Sequence, residues 1–212
     1  MKEAVVSATN VMMFVTFLTC FLLKDRVHER QKKDYTAFTF IGIIVTIMGF
    51  TYHFLRSQGR TAAETQLLWD WILYITVVMS FFYTSVAVRI FSNSERVLKN
   101  WKTFCKIKGV CFITIQYNVA FFRSYFPKTE ILIFVISSLL PVVYVFFGFL
   151  YDIKRKDARW VGLGALFYIL TVLNRILAPN SGDFNEVING NSLMHLGIVI
   201  FVYSVYQKIK KI

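Results

Sequence analysis

Three ionisable side chains stand at the edges of long apolar runs. His53 lies in "TYHFLRSQG", Asp70 in "QLLWDWILY" and His195 in "NSLMHLGIVI". Polar groups in hydrocarbon are costly, so each calls for a partner or a purpose. Two neutral imidazoles bind zinc, and a carboxylate either completes the ligand set or holds a water. Zinc activates bound water as hydroxide for attack on a carbonyl, and Asp70 would orient or deprotonate that water. The competing reading is interfacial polarity, because a histidine near a helix end reaches water or headgroups at little cost. Asn191 shares a helical face with His195, four residues on. It bonds His195, caps the start of that helix or takes a weak place in the ligand set. Asn174 and Arg175 close the preceding run, with Arg175 in reach of Asp70, Asp183 or a lipid phosphate. His28 stands apart in the basic segment "KDRVHERQKK" and reads as solvated.

The elements that must position these residues are apolar helices. Of the 212 residues, 56% are hydrophobic, 22 are phenylalanine and only 17% are charged. A soluble domain of this size carries more charge. Seven runs nearly free of charge are marked out, at about 4–23, 35–55, 67–88, 101–122, 131–151, 160–178 and 190–206. Most have the roughly 20 residues a helix needs to cross about 30 Å of hydrocarbon. They are continuous rather than alternating, which excludes a membrane β-barrel. The fourth is short, and Lys106 and Lys108 would have to snorkel toward water. The expected fold is all-α, a seven-transmembrane helix bundle forming one domain over 1–212. Its longest outer loops are expected at "RSQGRTAAETQ" and "PNSGDFNEVIN".

Charge sets the expected topology. Three quarters of the 24 basic residues fall after the first run, between the third and fourth, between the fifth and sixth, and at the end of the chain. Basic residues stay cytoplasmic, so the N-terminus faces outside and the C-terminus is cytoplasmic. His53, Asp70 and His195 then share one depth on the outer side. The net charge of +12 is explained by anionic headgroups, with no nucleic acid partner. Trp69, Trp71, Trp101 and Trp160 all fall at expected interfaces. Cys20, Cys105 and Cys111 are an odd count that suggests no disulfide framework. Asp25, Glu29 and Asp34 read as solvated partners of basic neighbours. Gln116 and Asn118 read as interhelical glue, and Ser137, Ser138 and Pro141 as a bend. A retinal pigment is excluded, since the last run has no central lysine.

The stretches "IMGFTYHF", "ETQLLWDWILY", "WVGLGALFYILTVLNR" and "NSLMHLGIVIFVYSVY" resemble helices 2, 3, 6 and 7 of the alkaline ceramidase, adiponectin-receptor and Per1-like superfamily, which also takes in myomaker-like proteins. The resemblance implies seven membrane helices and, in the ceramidase branch, a zinc site that hydrolyses a lipid amide. His53 matches the helix 2 histidine of that site, Asp70 the helix 3 aspartate and His195 the second histidine of the helix 7 HxxxH pair. Asn191 stands where the first histidine of the pair would be, and Gly49 where a serine would be. Thr51 is near that serine position but on another helical face. An amide is a poor zinc ligand beside imidazole, so two histidines would need Asp70 as the third. The expectation is a zinc-dependent hydrolase acting on the amide or ester of an amphipathic lipid. Catalytic and metal roles would fall to His53, Asp70 and His195, with Asn191, Thr51, Asn174 and Arg175 around them. The alternative is a non-catalytic lipid-binding, receptor or membrane-remodelling protein, in which the same three residues tie helices together. A small-solute transporter is a third reading, although no charge stands at a broken mid-membrane helix.

Overall fold

A computed structural model of the protein describes residues 2–118, 129–151, 159–177 and 190–210, with the side chains of 2–4, 116, 129–138 and 175–177 outside that description. Seven α-helices are described: α1 (Lys2–Leu22), α2 (Glu29–Ser57), α3 (Ala62–Phe91), α4 (Glu95–Tyr117), α5 (Thr129–Tyr151), α6 (Arg159–Leu177) and α7 (Gly190–Ile209). A single 3-10 turn, Lys24–Arg26, joins the first two. The described part of the fold is an all-α bundle with several long apolar helices, consistent with a multi-pass membrane protein.

Four helices are long and apolar enough to cross a membrane by themselves: α1 over Val5–Leu22, and the whole of α2, α3 and α7. This is fewer than the seven spans expected. In α5 and α6 the apolar stretches among the described residues, Leu139–Tyr151 and Arg159–Asn174, are shorter. In α4 the lysines Lys102, Lys106 and Lys108 distribute charge along the helix. The outer loop expected over "RSQGRTAAETQ" is also corrected. Helix α2 runs on to Ser57 and α3 begins at Ala62, leaving a four-residue turn. Gly59 supplies the positive φ of 87° that turn needs. Thr61 and Glu64 form a reciprocal capping box that starts α3.

The helices pack as α1–α2–α3–α5–α6–α7, and α7 returns to α1. Six helices therefore form a closed ring, and α4 packs on the outside of it against α3. Each face follows the demands of lipid. On α1, Val6, Thr9, Asn10, Met13, Phe17 and Cys20 recur at helical spacing and are buried. On α2 the buried face carries Gln31, Thr39, Thr46 and His53, while Phe40, Ile47 and Phe54 are exposed. Polar side chains point inward and large apolar ones outward, as hydrocarbon solvent requires. Buried aliphatic hydroxyls close locally: Thr39, Thr76, Ser80, Thr84 and Ser204 donate to carbonyls three or four residues back, so these five protons are met within their own helices. A chain of aromatic contacts crosses the interior. Phe38 stacks on Tyr83 at 4.8 Å, Tyr83 meets Phe201 at 5.6 Å, and Phe201 stacks on Tyr168 at 6.1 Å.

Between α6 and α7 the approach is set by two reciprocal pairs. A Cβ on Gly164 would stand 2.6 Å from Ser204 Oγ, and one on Gly197 would stand 2.5 Å from Thr171 Oγ1. Each helix offers a glycine to the other's hydroxyl residue, seven positions apart on both. Small residues let membrane helices approach closely where no hydrophobic effect drives them together.

At the end of the bundle where α2 begins, three helices are joined by charge. Asp34 on α2 accepts from Ser85 on α3 and pairs with Lys102 of α4 at 3.1 Å. Asp34 is thus a half-buried link between three helices rather than a solvated partner of adjacent basic residues. Glu95 accepts from Arg89 at 2.9 Å, and Arg30 reaches Glu95 at 3.4 Å and the Asn93 side chain at 2.7 Å. The bond from Arg89, with the charges of Arg89 and Arg30, holds the Glu95 carboxyl below its ordinary range.

Two expectations follow. Gly197→Val should push Thr171 and Tyr168 of α6 away from α7 and destabilise the pair by about 1–3 kcal/mol, read as a lower melting temperature in detergent. A carboxyl whose folded pKa is depressed contributes stability above the ordinary carboxylate range and loses it as pH falls through the folded value. Melting temperatures across an acid series should show that loss, and Glu95→Gln should flatten it.

Candidate functional site

The end of the bundle where α2 finishes and α3 and α7 begin carries the main residues singled out in the sequence. His53 and His195 are both buried, at 9% and 7% exposure. Their rings stand edge to face with centroids 6.1 Å apart. The expectation that helices two and seven bring two imidazoles together is met. What holds them differs from expectation. Nδ1 of His195 lies 2.9 Å from Thr9 Oγ1 on α1. The Thr9 hydroxyl donates its one proton to the Val6 carbonyl at 2.9 Å. The Thr9 oxygen is then an acceptor, so His195 donates to it through Nδ1–H, which fixes the tautomer with Nε2 unprotonated.

Asn10 lies beside this cluster. Its amide nitrogen donates to the Val6 carbonyl at 3.0 Å. Its oxygen occupies the space a side chain at position 49 would need: a Cβ on Gly49 would stand 2.7 Å from Asn10 Oδ1. Glycine at 49 therefore admits the α1 amide against α2, one turn inward of His53. Thr9 and Asn10 were absent from the candidate residues of the sequence. The available signal was their position as adjacent polar residues within the first apolar run.

Asp70 sits half-buried on α3, and one of its oxygens accepts from Gln66 Nε2 at 2.8 Å, one turn earlier on the same helix. Trp69 on the same turn packs against Tyr52 at 5.3 Å, and Tyr52 meets His53 edge-on at 5.1 Å. Thr51 faces away from the cluster: it is exposed and donates back to the Ile47 carbonyl at 2.9 Å. Asn191 and Asn174 are half-buried on α7 and α6. The side chain of Arg175, the Asp183 segment and the side chains of Gln116, Ser137 and Ser138 lie outside the described residues. His28 is exposed at the opposite end of α2, as its basic surroundings suggested.

The zinc expectation is overturned. Among the described residues no three His, Cys, Asp or Glu side chains gather into a group able to hold a metal ion. The physical reasons are local. One nitrogen of His195 is committed to Thr9, an oxygen of Asp70 is committed to Gln66, and asparagine stands where a third imidazole would be needed. The zinc-dependent, ceramidase-like hydrolase built on that site falls with it, because the hydroxide was to be generated by the metal. The arrangement that stands is a polar knot: an α1 hydroxyl bonded to an α7 imidazole, with the α2 imidazole set edge-on beside it.

A family model described as "Family of unknown function (DUF6962)" matches residues 5–212. No curated protein matches the chain, and no solved structure matches it.

If the knot is a structural tie, Thr9→Val should strand the His195 N–H in the interior. The expected cost is about 1–2 kcal/mol, the range for interhelical hydrogen bonds in membranes. It is measured as lost thermal stability with helix content retained.

Proposed function

The chain belongs to that family of unknown function, and we propose that it is a non-catalytic, lipid-binding integral membrane protein. In this reading all seven helices cross the bilayer, with the N-terminus outside and the C-terminus cytoplasmic. The distribution of basic residues supports that orientation. The outer polar knot ties α1, α2 and α7 together and does no chemistry. The resemblance of four stretches to the ceramidase and adiponectin-receptor superfamily fits a member that keeps the bundle and has given up the metal.

The observation that carries lipid binding is the placement of α4. It makes its main packing with α3 alone. Apart from the contacts between Lys102 and Asp34 and between Trp101 and Tyr144, α4 leaves its far side uncovered, and that side is apolar: Phe104, Ile107, Val110 and Ile113 are all exposed. In a bilayer an exposed apolar face is covered by acyl chains, as the outward faces of the other helices are, and on α4 that face adjoins the seam with α3. A transport reading gains no support, since a chain of aromatic contacts crosses the interior.

The test is retention of lipid. Full-length protein purified in a mild detergent should carry bound lipid in native mass spectrometry, and stripping it should lower the melting temperature by several degrees. Lipid-free protein of unchanged stability would overturn the reading.

A further inference from the structure

The α3–α4 seam holds a charge-bearing group that the fold leaves incomplete. Lys108 was expected to snorkel toward water. Instead it turns inward and is 7% exposed. Its Nζ donates to Ser80 Oγ at 3.0 Å, and Ser80 itself is 2% exposed. A lysine ammonium has three N–H donors. Among the described residues the Ser80 hydroxyl is the one hydrogen-bond partner of Nζ, and no carboxylate faces it. Asp34, which contacts both α3 and α4, is taken by Ser85 and Lys102. Lys102 lies six residues before Lys108, roughly 9 Å along α4 at 1.5 Å per residue. Lys106 on the same helix is exposed and points elsewhere. An intramembrane ammonium with no counter-charge is among the least favourable placements a side chain can have, and such residues mark ligand or ion sites.

We propose that the seam between α3 and α4 binds a long-chain monocarboxylate, its carboxylate meeting Lys108 Nζ and Ser80 Oγ. One negative charge against one ammonium leaves the pair neutral in hydrocarbon. The two remaining N–H donors of Nζ are met by the carboxylate oxygens. The Ser80 hydroxyl hydrogen, now on the Val77 carbonyl at 2.7 Å, turns about its Cβ–Oγ bond to the same ligand without moving a heavy atom. A carboxylate is a three-atom headgroup and suits a seam this closed; a phosphodiester with its glycerol and two chains does not. The acyl chain lies along the exposed apolar flank of α4, at Phe104, Ile107 and Val110. Entry requires that α4 lean away from α3 around Lys108 while the Trp101–Tyr144 and Lys102–Asp34 contacts hold its first turns, and because α4 stands outside the ring this leaves the six-helix closure intact. The inference rests on the lipid-binding reading above and names the ligand class.

The test uses the full chain in phosphatidylcholine nanodiscs and a long-chain fatty acid carrying a diazirine and an alkyne. After irradiation, labelled peptides should come from α3 and α4 around Ser80 and Lys108. Excess oleate should suppress the labelling at least tenfold. Oleyl alcohol, with the same chain and no charge, should not, and neither should phosphatidic acid, which distinguishes a free carboxylate from a phosphate headgroup. Lys108→Met should lose the labelling tenfold or more, and Lys108→Arg should keep most of it. Equal competition by oleate and oleyl alcohol in the unmodified protein overturns the proposal even if Lys108→Met fails to fold. Labelling unchanged in a folded Lys108→Met protein also overturns it. If retained lipid is still seen by native mass spectrometry in that case, only the site assignment falls. If no lipid is retained at all, the lipid-binding reading falls with it.

Discussion

Six helices enclose a common interior only if the last returns to the first, and the contact between α1 and α7 is where this bundle closes. Two features hold it. At one end the Thr9 hydroxyl takes the Nδ1–H of His195. At the other end Val27 and Lys210 form an antiparallel bridge, and His28 N donates to the Ile209 carbonyl at 3.3 Å. The rest of the interior depends on that closure. The buried faces of α1 and α2 carry Asn10, Gln31, Thr39, Thr46 and His53, groups that are tolerable in a membrane only while another helix covers them.

The same constraint explains why a cluster with two histidines at its centre forms no metal-binding group among the described residues. Hydrocarbon favours any arrangement in which polar atoms satisfy one another, and two histidines, a threonine and an asparagine do so in the knot around His195. A catalytic metal site keeps a coordination position open and holds its ligands in reserve for the ion. Here Nδ1 of His195 is bonded to Thr9 and an oxygen of Asp70 to Gln66. Gly49 belongs to the same economy of space, because its missing side chain is where the Asn10 amide sits.

Much of the helix content is legible in the chain, and the limits of that legibility are physical. Hydropathy marks where lipid lies, so it misses helix that continues into water. The second and fourth runs were placed at about 35–55 and 101–122, yet α2 starts at Glu29 and α4 at Glu95, through segments rich in charge. The Thr61–Glu64 capping box was present to be read and would have shortened the outer loop. Common depth brought His53 and His195 together correctly. Depth alone does not say which way a side chain turns, and this is why Asp70 was wrongly added to a ligand set and why Lys108 was sent toward water. The face that α4 presents is decided by its packing on α3, a tertiary fact with no clear signature in a helix whose lysines occur on several sides. The glycine–hydroxyl exchange between α6 and α7 was equally hidden, since Gly164, Thr171, Gly197 and Ser204 acquire meaning only when the two helices are aligned antiparallel.

Closure between the two ends of the chain also has a temporal side. A helix leaving the ribosome enters the bilayer long before the last one is made. Throughout that interval α1 must reside in lipid with Asn10 met by α2 at Gly49 but Thr9 uncovered on the side that α7 will take, a cover encoded some 180 residues later. Chains cut short before α7 would keep that side permanently open to the acyl phase, giving membrane quality control a feature by which to tell an unfinished protein from a finished one.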